Sequence, residues 1–241
     1  MKRLLILLSL FVLLTACGTS EARYRVMFKT QDPGAQQELL LASMRLISQR
    51  MNVIGVKLDD QNIERKDGNV TIVVKLPGGT VRQIAKGSPV LTKLEQQAPK
   101  ILDHAPKDLL TEQLTKPFSL RLMLESPEAG ADVVTSIGSF KATGITEASL
   151  AVVQAAPAGE GKGKILLVFT KDGEVQIAKL FHDHKGKTIG LFLRDRVVST
   201  VTSAGESKKN FIIDGVPSME LANQFADEVN VGLYVTFTSA D

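Results

Sequence analysis

One thiol and three imidazoles are the most reactive side chains among the 241 residues of this sequence. The thiol, Cys17, has no second cysteine to meet, so a disulfide within the chain and a cysteine-built metal or redox centre are both excluded. Two imidazoles fall in His182-Asp183-His184 and the third is His104. Residues i and i+2 do not share a helix face, and helical zinc sites use i and i+4. Histidines in the last turn of a helix are explained more simply as favourable partners of its dipole. Gly186-Lys187-Thr188 has the end of a phosphate loop, but that loop needs a glycine five residues earlier, where Phe181 stands. The order there is also helix then strand, the reverse of what such a loop requires. There is no Gly-x-Ser-x-Gly and no Ser-x-x-Lys, so the common serine nucleophile patterns are missing. The adjacent carboxylates Asp59 and Asp60 sit beside turn residues and read as solvated charges rather than an acid–base pair. Met44 and Met51, at helical spacing, read as core. The expectation is a protein that is not an enzyme and carries no cofactor and no metal.

Position gives Cys17 its meaning. Lys2 and Arg3 precede an apolar run over residues 4–14 that only Ser9 interrupts. That run is too short for a bilayer core about 30 Å thick, which takes about 20 residues, and it fits a secretory h-region. It ends in Leu14-Thr15-Ala16-Cys17, small residues directly before the cysteine. This resembles the lipobox of bacterial lipoproteins; the alternative is a buried core cysteine in an ordinary N-terminal helix. The resemblance implies a signal peptide over residues 1–16 and a diacylglyceryl group on the Cys17 sulfur. Two acyl chains, at about 0.8 kcal/mol per buried methylene, hold a protein at a membrane without a transmembrane helix. It further implies a periplasmic or outward-facing envelope protein, and Gly18 in place of an aspartate implies outer-membrane delivery in a Gram-negative cell. Two of the 29 basic side chains leave with the signal peptide, so 27 face 26 acidic ones, a formal +1. Nothing in that balance points to nucleic acid, and the Gly/Lys run over 157–164 reads as a mobile loop. Trp is absent and aromatics make up 5% of the chain, which disfavours a stacking surface for sugars.

Polar residues 17–23 read as a tether, followed by a strand over 23–29 with Tyr24, Val26 and Phe28 on one face. Asp32-Pro33 starts a helix whose Leu40, Met44, Ile47 and Met51 form a core-facing stripe. Strands over 63–66 and 70–76 flank Asp67-Gly68, a hairpin signal. Residues 80–117 hold helical stretches broken by Pro89, Pro99, Pro106 and Pro117. A strand is expected over 118–124, a short helix or loop over 126–142, and strands over 146–155 and 165–170. A helix capped by Asp172 runs to His184; a hairpin joins 189–193 to 197–201; strand 211–213, a helix over 217–229 and strand 233–238 complete the chain. The last third thus reads β-α-β-β-α-β, the ferredoxin-like split unit, and the N-terminal β-α-β-β reads as a partial echo of it. The expected class is α+β with antiparallel sheets, in two regions, 24–125 and 126–241.

Three groups of residues carry a second resemblance. Arg50-Met51-Asn52-Val53-Ile54-Gly55-Val56 leads to Ile63-Glu64-Arg65, Asp67-Gly68-Asn69 and then Ile72-Val73-Val74-Lys75-Leu76-Pro77-Gly78. Thr143-Gly144 and Ala148 precede the strand at 165–170. Gly173 through Phe181, Gly186-Lys187, Leu191-Phe192-Leu193, Val197-Val198-Ser199 and Glu220-Leu221-Ala222 follow. Together they resemble the first periplasmic domain, with its head, of the SecD/SecDF family of translocase subunits. Gly55, Gly68, Gly78 and Gly186 sit where turns favour positive φ, so the matches speak for a shared fold more than a shared activity. The sequence departs from that family over 80–117, which is longer, and in Leu193-Arg194-Asp195-Arg196, Val201 and the short Ala204-Gly205-Glu206-Ser207. The six-helix membrane part, with its proton-coupling acid, has no counterpart, so a proton-driven motor is not expected. The resemblance implies binding of exported, unfolded polypeptide or of translocase subunits; the alternative is a structural or assembly lipoprotein that keeps the fold without a role in secretion.

Overall fold

The computed structural model describes residues 18–240. The residue order begins with β1 (Thr19–Phe28), α1 (Pro33–Val53), β2 (Asp60–Lys66), β3 (Asn69–Pro77), α2 (Val81–Ile84), α3 (Pro89–Gln97), a 3-10 turn (Pro99–Asp103) and α4 (Pro106–Thr115). It continues with β4 (Leu120–Glu125), β5 (Val133–Thr135), β6 (Gly138–Thr146), β7 (Leu150–Pro157), β8 (Gly163–Phe169) and α5 (Lys171–Asp183). Then come β9 (Thr188–Leu193), β10 (Arg196–Thr202), β11 (Asn210–Val216), α6 (Met219–Tyr234) and β12 (Val235–Ser239). Two compact units divide this order: unit 1 ends at Lys116 and takes back the chain from Val235, and unit 2 is Pro117–Tyr234.

Unit 1 is one four-stranded antiparallel sheet in the order β12-β1-β3-β2. With α1 linking β1 to β2 and α4 linking β3 to β12, this is a complete split β-α-β-β-α-β unit. The sequence pattern placed that unit in the last third and saw only an echo here. The correction has a physical reason: local periodicity fixes each element but not its partner, and β12 pairs with β1, more than 200 residues away along the chain (Val26 opposite Phe237). The segment over 80–117, expected as an insertion, supplies the second helix of the unit, α4. Ala22, Tyr24 and Val26 are buried while Arg25 and Met27 are exposed on the other face. That alternation begins earlier than expected. Residues 19–23 are not a tether but the first half of β1, paired with β3 from Thr19 opposite Pro77. Their polar composition reflects a strand with one solvated face.

Helix α1 starts as its sequence demands. Asp32 accepts hydrogen bonds from the Gly34 and Ala35 N–H groups at 3.1 and 3.4 Å, and Pro33 fills the first turn. Leu40, Ile47 and Met51 are fully buried. Tyr24, also fully buried, hydrogen-bonds the Thr111 hydroxyl of α4 at 2.9 Å. Asp67 and Gly68 both take positive φ (52° and 75°), the two-residue turn that matches strand twist.

Unit 2 holds two antiparallel sheets, β10-β9-β4-β6-β5 and β11-β8-β7. Their inner faces meet α5 and α6 in one core that includes Leu120, Leu122, Leu167, Phe169, Ile177, Phe181, Leu191, Phe211 and Val229. A second, small cluster lies on the opposite face of the larger sheet, where Met123 is buried and Phe140 meets Phe192 edge to face at 5.3 Å. The segment over 126–142, expected as a short helix or loop, holds a 3-10 turn at Glu128–Gly130 but also β5 and the start of β6, and the single strand expected over 146–155 is preceded by a 3-10 turn at Glu147–Ser149. Helix α5 is capped by Thr170, not Asp172: the Thr170 hydroxyl accepts from Gly173 N–H at 3.1 Å. The β-α-β-β-α-β string expected in the last third is dispersed, because β8 pairs with β7 and β11, β9 pairs with β4 and β10, and β12 belongs to unit 1. The α+β class with antiparallel sheets holds throughout. Unit 2 begins at Pro117, ahead of the boundary expected at 125/126.

Candidate functional site

Most of the side chains singled out in the sequence are not drawn together. Cys17 and the signal segment lie outside the described residues. His104 belongs to unit 1, and His182 and His184 to unit 2. His182 is exposed, while His184 ends α5 with its Nδ1 3.0 Å from the Leu180 carbonyl oxygen. His184 and Asp183 line a hollow of about 270 Å³ with Thr143, Gln176 and Lys179. Among the described residues no three His, Cys, Asp or Glu side chains are placed to hold a metal ion. Lys187 sits in the turn before β9, and Asp59 and Asp60 are exposed at the start of β2, where Asp60 pairs with Lys75 at 3.9 Å. Gly78, expected at positive φ, leaves that role to Gly79 (φ 100°).

The arrangement with a functional geometry is the three-stranded sheet of unit 2. Its inner face is sealed by α6: a Cβ at Gly163 would lie 2.7 Å from the Ala222 Cβ, so only glycine lets β8 meet that helix. Its outer face carries Gln154, Leu166 and Ile212 in register across β7, β8 and β11. They bound a shallow hollow of about 460 Å³, completed by Ala155, Ala156 and Lys164. The lining is mainly apolar, and the Ile212 side chain is 51% exposed.

The two edges of this sheet are treated differently. On β7, the Asn230 side chain of α6 accepts from the Val153 N–H at 2.9 Å and donates to the Val153 carbonyl at 2.8 Å. One turn on, the Tyr234 hydroxyl donates to the Ala151 carbonyl. A side-chain amide and a phenol thus stand where a neighbouring strand would be. Because Val153 points its backbone outward, strict alternation sends Gln154 toward Leu166 of β8, and sends Leu167 and Ile165 toward Phe211 and Ile213 of β11. The N–H and C=O of Ile212 therefore face away from the sheet. No backbone hydrogen bond from another element reaches them among the described residues. β11 is an open edge with an exposed apolar side chain beside an apolar hollow. Beyond Ile213 the register shifts at Gly215 (φ 72°), which ends the usable edge.

Sequence reasoning missed Asn230, Tyr234 and Ile212. The signal for the first two was present as an Asn and a Tyr four apart, on the helix face that holds Val229 and Leu233. The signal for Ile212 was an isoleucine pair, Ile212-Ile213, in which only one side chain can face the core of a strand.

Electrostatics elsewhere in unit 2 are structural. Glu125 at the end of β4 accepts from the Thr188 N–H at 2.8 Å, and this bond holds its carboxyl below the ordinary Glu value, helped by the Thr188 side chain and by Lys187, against a small burial cost. In unit 1, Arg23 bridges Glu64 and Glu21 at 2.8 Å each; these hydrogen bonds raise its already high pKa.

Fold and site together define the class: an α+β protein made of a split β-α-β-β-α-β unit and a two-sheet unit whose smaller sheet is covered along β7 and open along β11. Solved structures of SecDF are similar to it. One, of a membrane component SecDF that enhances protein export, is 18% identical, covers 91% of this chain and 98% of its own, and superposes with a TM-score of 0.43. SecDF in a super-membrane-facing form is 18% identical over 95% of this chain and 30% of its own, with a TM-score of 0.45. SecDF from Thermus thermophilus, a translocon-associated membrane protein, is 20% identical over 91% of this chain and 30% of its own, with a TM-score of 0.48. The chain spans about 30% of the length of these last two. No protein-family model matches the sequence, and no curated protein does.

Proposed function

We propose that this protein is a non-enzymatic, lipid-anchored envelope protein with a SecD-like fold that binds extended segments of exported polypeptide at the β11 edge. The observation that carries the reading is the contrast between the two edges of one sheet, β7 sealed by Asn230 and Tyr234 and β11 left open beside Ile212 and Leu166. An added strand is held by main-chain hydrogen bonds, which any unfolded sequence can offer, and alternate side chains enter the adjoining hollow. Each such bond is worth about 1 kcal/mol net, so a short added strand binds weakly and reversibly. That suits a passing chain rather than a permanent subunit. Anchoring rests on Leu14-Thr15-Ala16-Cys17, and no helix among the described residues is long and apolar enough to cross a membrane.

The test is photocrosslinking in cells from a probe at position 212, with Cys17→Ala as the unanchored control. Recovery of exported chains or translocase subunits, lost in the control, supports the reading. Recovery of envelope proteins unrelated to secretion would replace it with the assembly-lipoprotein reading.

A further inference from the structure

β1 leaves almost no slack after Cys17. Thr19 is already paired, opposite Pro77. A Cβ at Gly78 would collide with the Gly18 carbonyl, so residue 18 too lies against the end of β3. Two residues span at most about 7 Å, and the headgroup layer of one leaflet is about 6 Å deep. If Cys17 is acylated, this end of unit 1 has no room to stand clear of the lipid surface.

What lies at that end is suited to the contact. Helix α1 runs back from the far end of β1, so its last residue, Val53, returns to the end where β1 starts. Val53 is 73% exposed, more than any other large hydrophobic side chain among the described residues. Gly55 (φ 75°) turns the chain directly after it, and a Cβ there would sit 3.3 Å from Val90 and 3.4 Å from Ala85. Lys57 follows Gly55 by two residues and Lys86 follows Ala85 directly, and both lysines are exposed. Neither makes an ion pair among the described residues. By contrast Arg82 is held by Asp103 at 3.2 Å and Glu95 at 3.3 Å, and Lys75 is held by Asp60. At the opposite end of unit 1 lie the polar turns Thr30-Gln31-Asp32 and Asp67-Gly68.

We infer that the end of unit 1 bearing Val53, Lys57 and Lys86 is seated on an anionic bilayer surface, Val53 entering the interface and the two lysines meeting lipid phosphates. An apolar side chain flanked by lysines is the arrangement that interfacial segments use, and each lysine close to an anionic leaflet adds attraction. The inference rests on the acylation of Cys17 and adds which face the anchor presents to the membrane.

The test uses the full mature protein, purified from membranes and reconstituted in phosphatidylglycerol–phosphatidylethanolamine vesicles. Mass spectrometry of its N-terminal peptide comes first: an unmodified Cys17 overturns the anchoring reading and this inference with it. In the acylated protein Val53→Cys or Gln31→Cys then supplies the one free thiol for a fluorophore. Quenching by a lipid-borne nitroxide is expected to be several-fold stronger at position 53 than at position 31, and to weaken there when Lys57 and Lys86 are both changed to Gln. Equal quenching at the two positions in acylated protein would overturn the inference while leaving the anchor intact.

Discussion

The β7 and β11 edges belong to one three-stranded sheet, share β8 as their neighbour, and meet solvent in opposite ways. Along β7 a helix lends side chains to the backbone; along β11 no described residue does. Exposed sheet edges are a hazard that proteins blunt with charges, bulges or cover. Unit 1 shows that blunting on β2, whose Asp60, Glu64, Arg65 and Lys66 line its outer strand. Unit 2 spends a helix face on sealing β7 yet leaves Ile212 bare on β11. The difference teaches that openness at β11 is selective, since the same fold closes the other edge of the same sheet.

The largest expected effect comes from breaking the seal. Asn230→Leu keeps the apolar contacts of α6 but orphans both backbone groups of Val153, whose side chain is 2% exposed. Each orphaned group costs about 1–3 kcal/mol, so a loss of about 2–6 kcal/mol is expected from urea unfolding midpoints. A loss below about 0.5 kcal/mol, the range of a neutral surface change, would mean that β7 is sealed by nothing more than helix proximity. Tyr234→Phe removes one bond to the Ala151 carbonyl and should cost about 1 kcal/mol in the same measurement.

The open edge sharpens the contrast in the other direction. The Ile212 N–H points away from β8, so Ile212→Pro deletes a donor that no described strand uses, a setting in which a sheet tolerates proline. Stability is expected to fall by no more than about 1 kcal/mol, while crosslinking of exported chains from a probe placed at position 154, in the adjoining hollow, is lost. Leu166→Pro, on the central strand, removes a ladder bond and should cost about 3 kcal/mol or more. Equal destabilisation by the two prolines would show that β11 is not a free edge.

These contrasts mark where the sequence was readable. The helix that starts at Asp32-Pro33, the turn at Asp67-Gly68 and the alternation of Tyr24 and Val26 follow from local chemistry, and they stand in the structure. So does the α+β class. Pairing was not readable: the last strand looks like the end of the last third, yet it completes the sheet begun by Thr19, because Phe237 and Val26 meet only in three dimensions. The site was less legible still. Its defining residue, Asn230, stands beside Val229 four residues before Tyr234, which marks an inward-facing amide, but the sequence does not name the backbone of Val153 as its partner. Residues 19–23 read as a tether for a related reason: a strand with one solvated face has the composition of a linker.

The smallest effect tests whether the kind of side chain that replaces a strand matters. Strand N–H groups in unit 2 met by side chains include Val153 by Asn230, Leu120 by Glu147 at 3.1 Å, Ala142 by Asp132 at 2.8 Å, and Thr188 by Glu125 at 2.8 Å. The amide of Asn230 accepts at any pH. The carboxylate of Glu125 accepts as a charge, and the bond from Thr188 holds its pKa below the ordinary Glu value. A carboxyl whose folded pKa lies below its unfolded one stabilises fully above the unfolded value, about 4.3 for Glu, and this contribution is lost as pH falls through the folded value. Glu125→Gln keeps an acceptor and removes the charge. Wild type should therefore be the more stable of the two at pH 7, by a constant margin down to about pH 5, with the margin shrinking below the ordinary Glu pKa of about 4.3. Unfolding midpoints measured across that range decide it: a margin that persists unchanged into acid would show that Thr188 is held by shape and not by charge. Asn230→Asp is the converse, since its ionised carboxylate can accept from the Val153 N–H but has no donor for the Val153 carbonyl. That variant should lose stability at neutral pH and recover part of it as the carboxyl is protonated in acid.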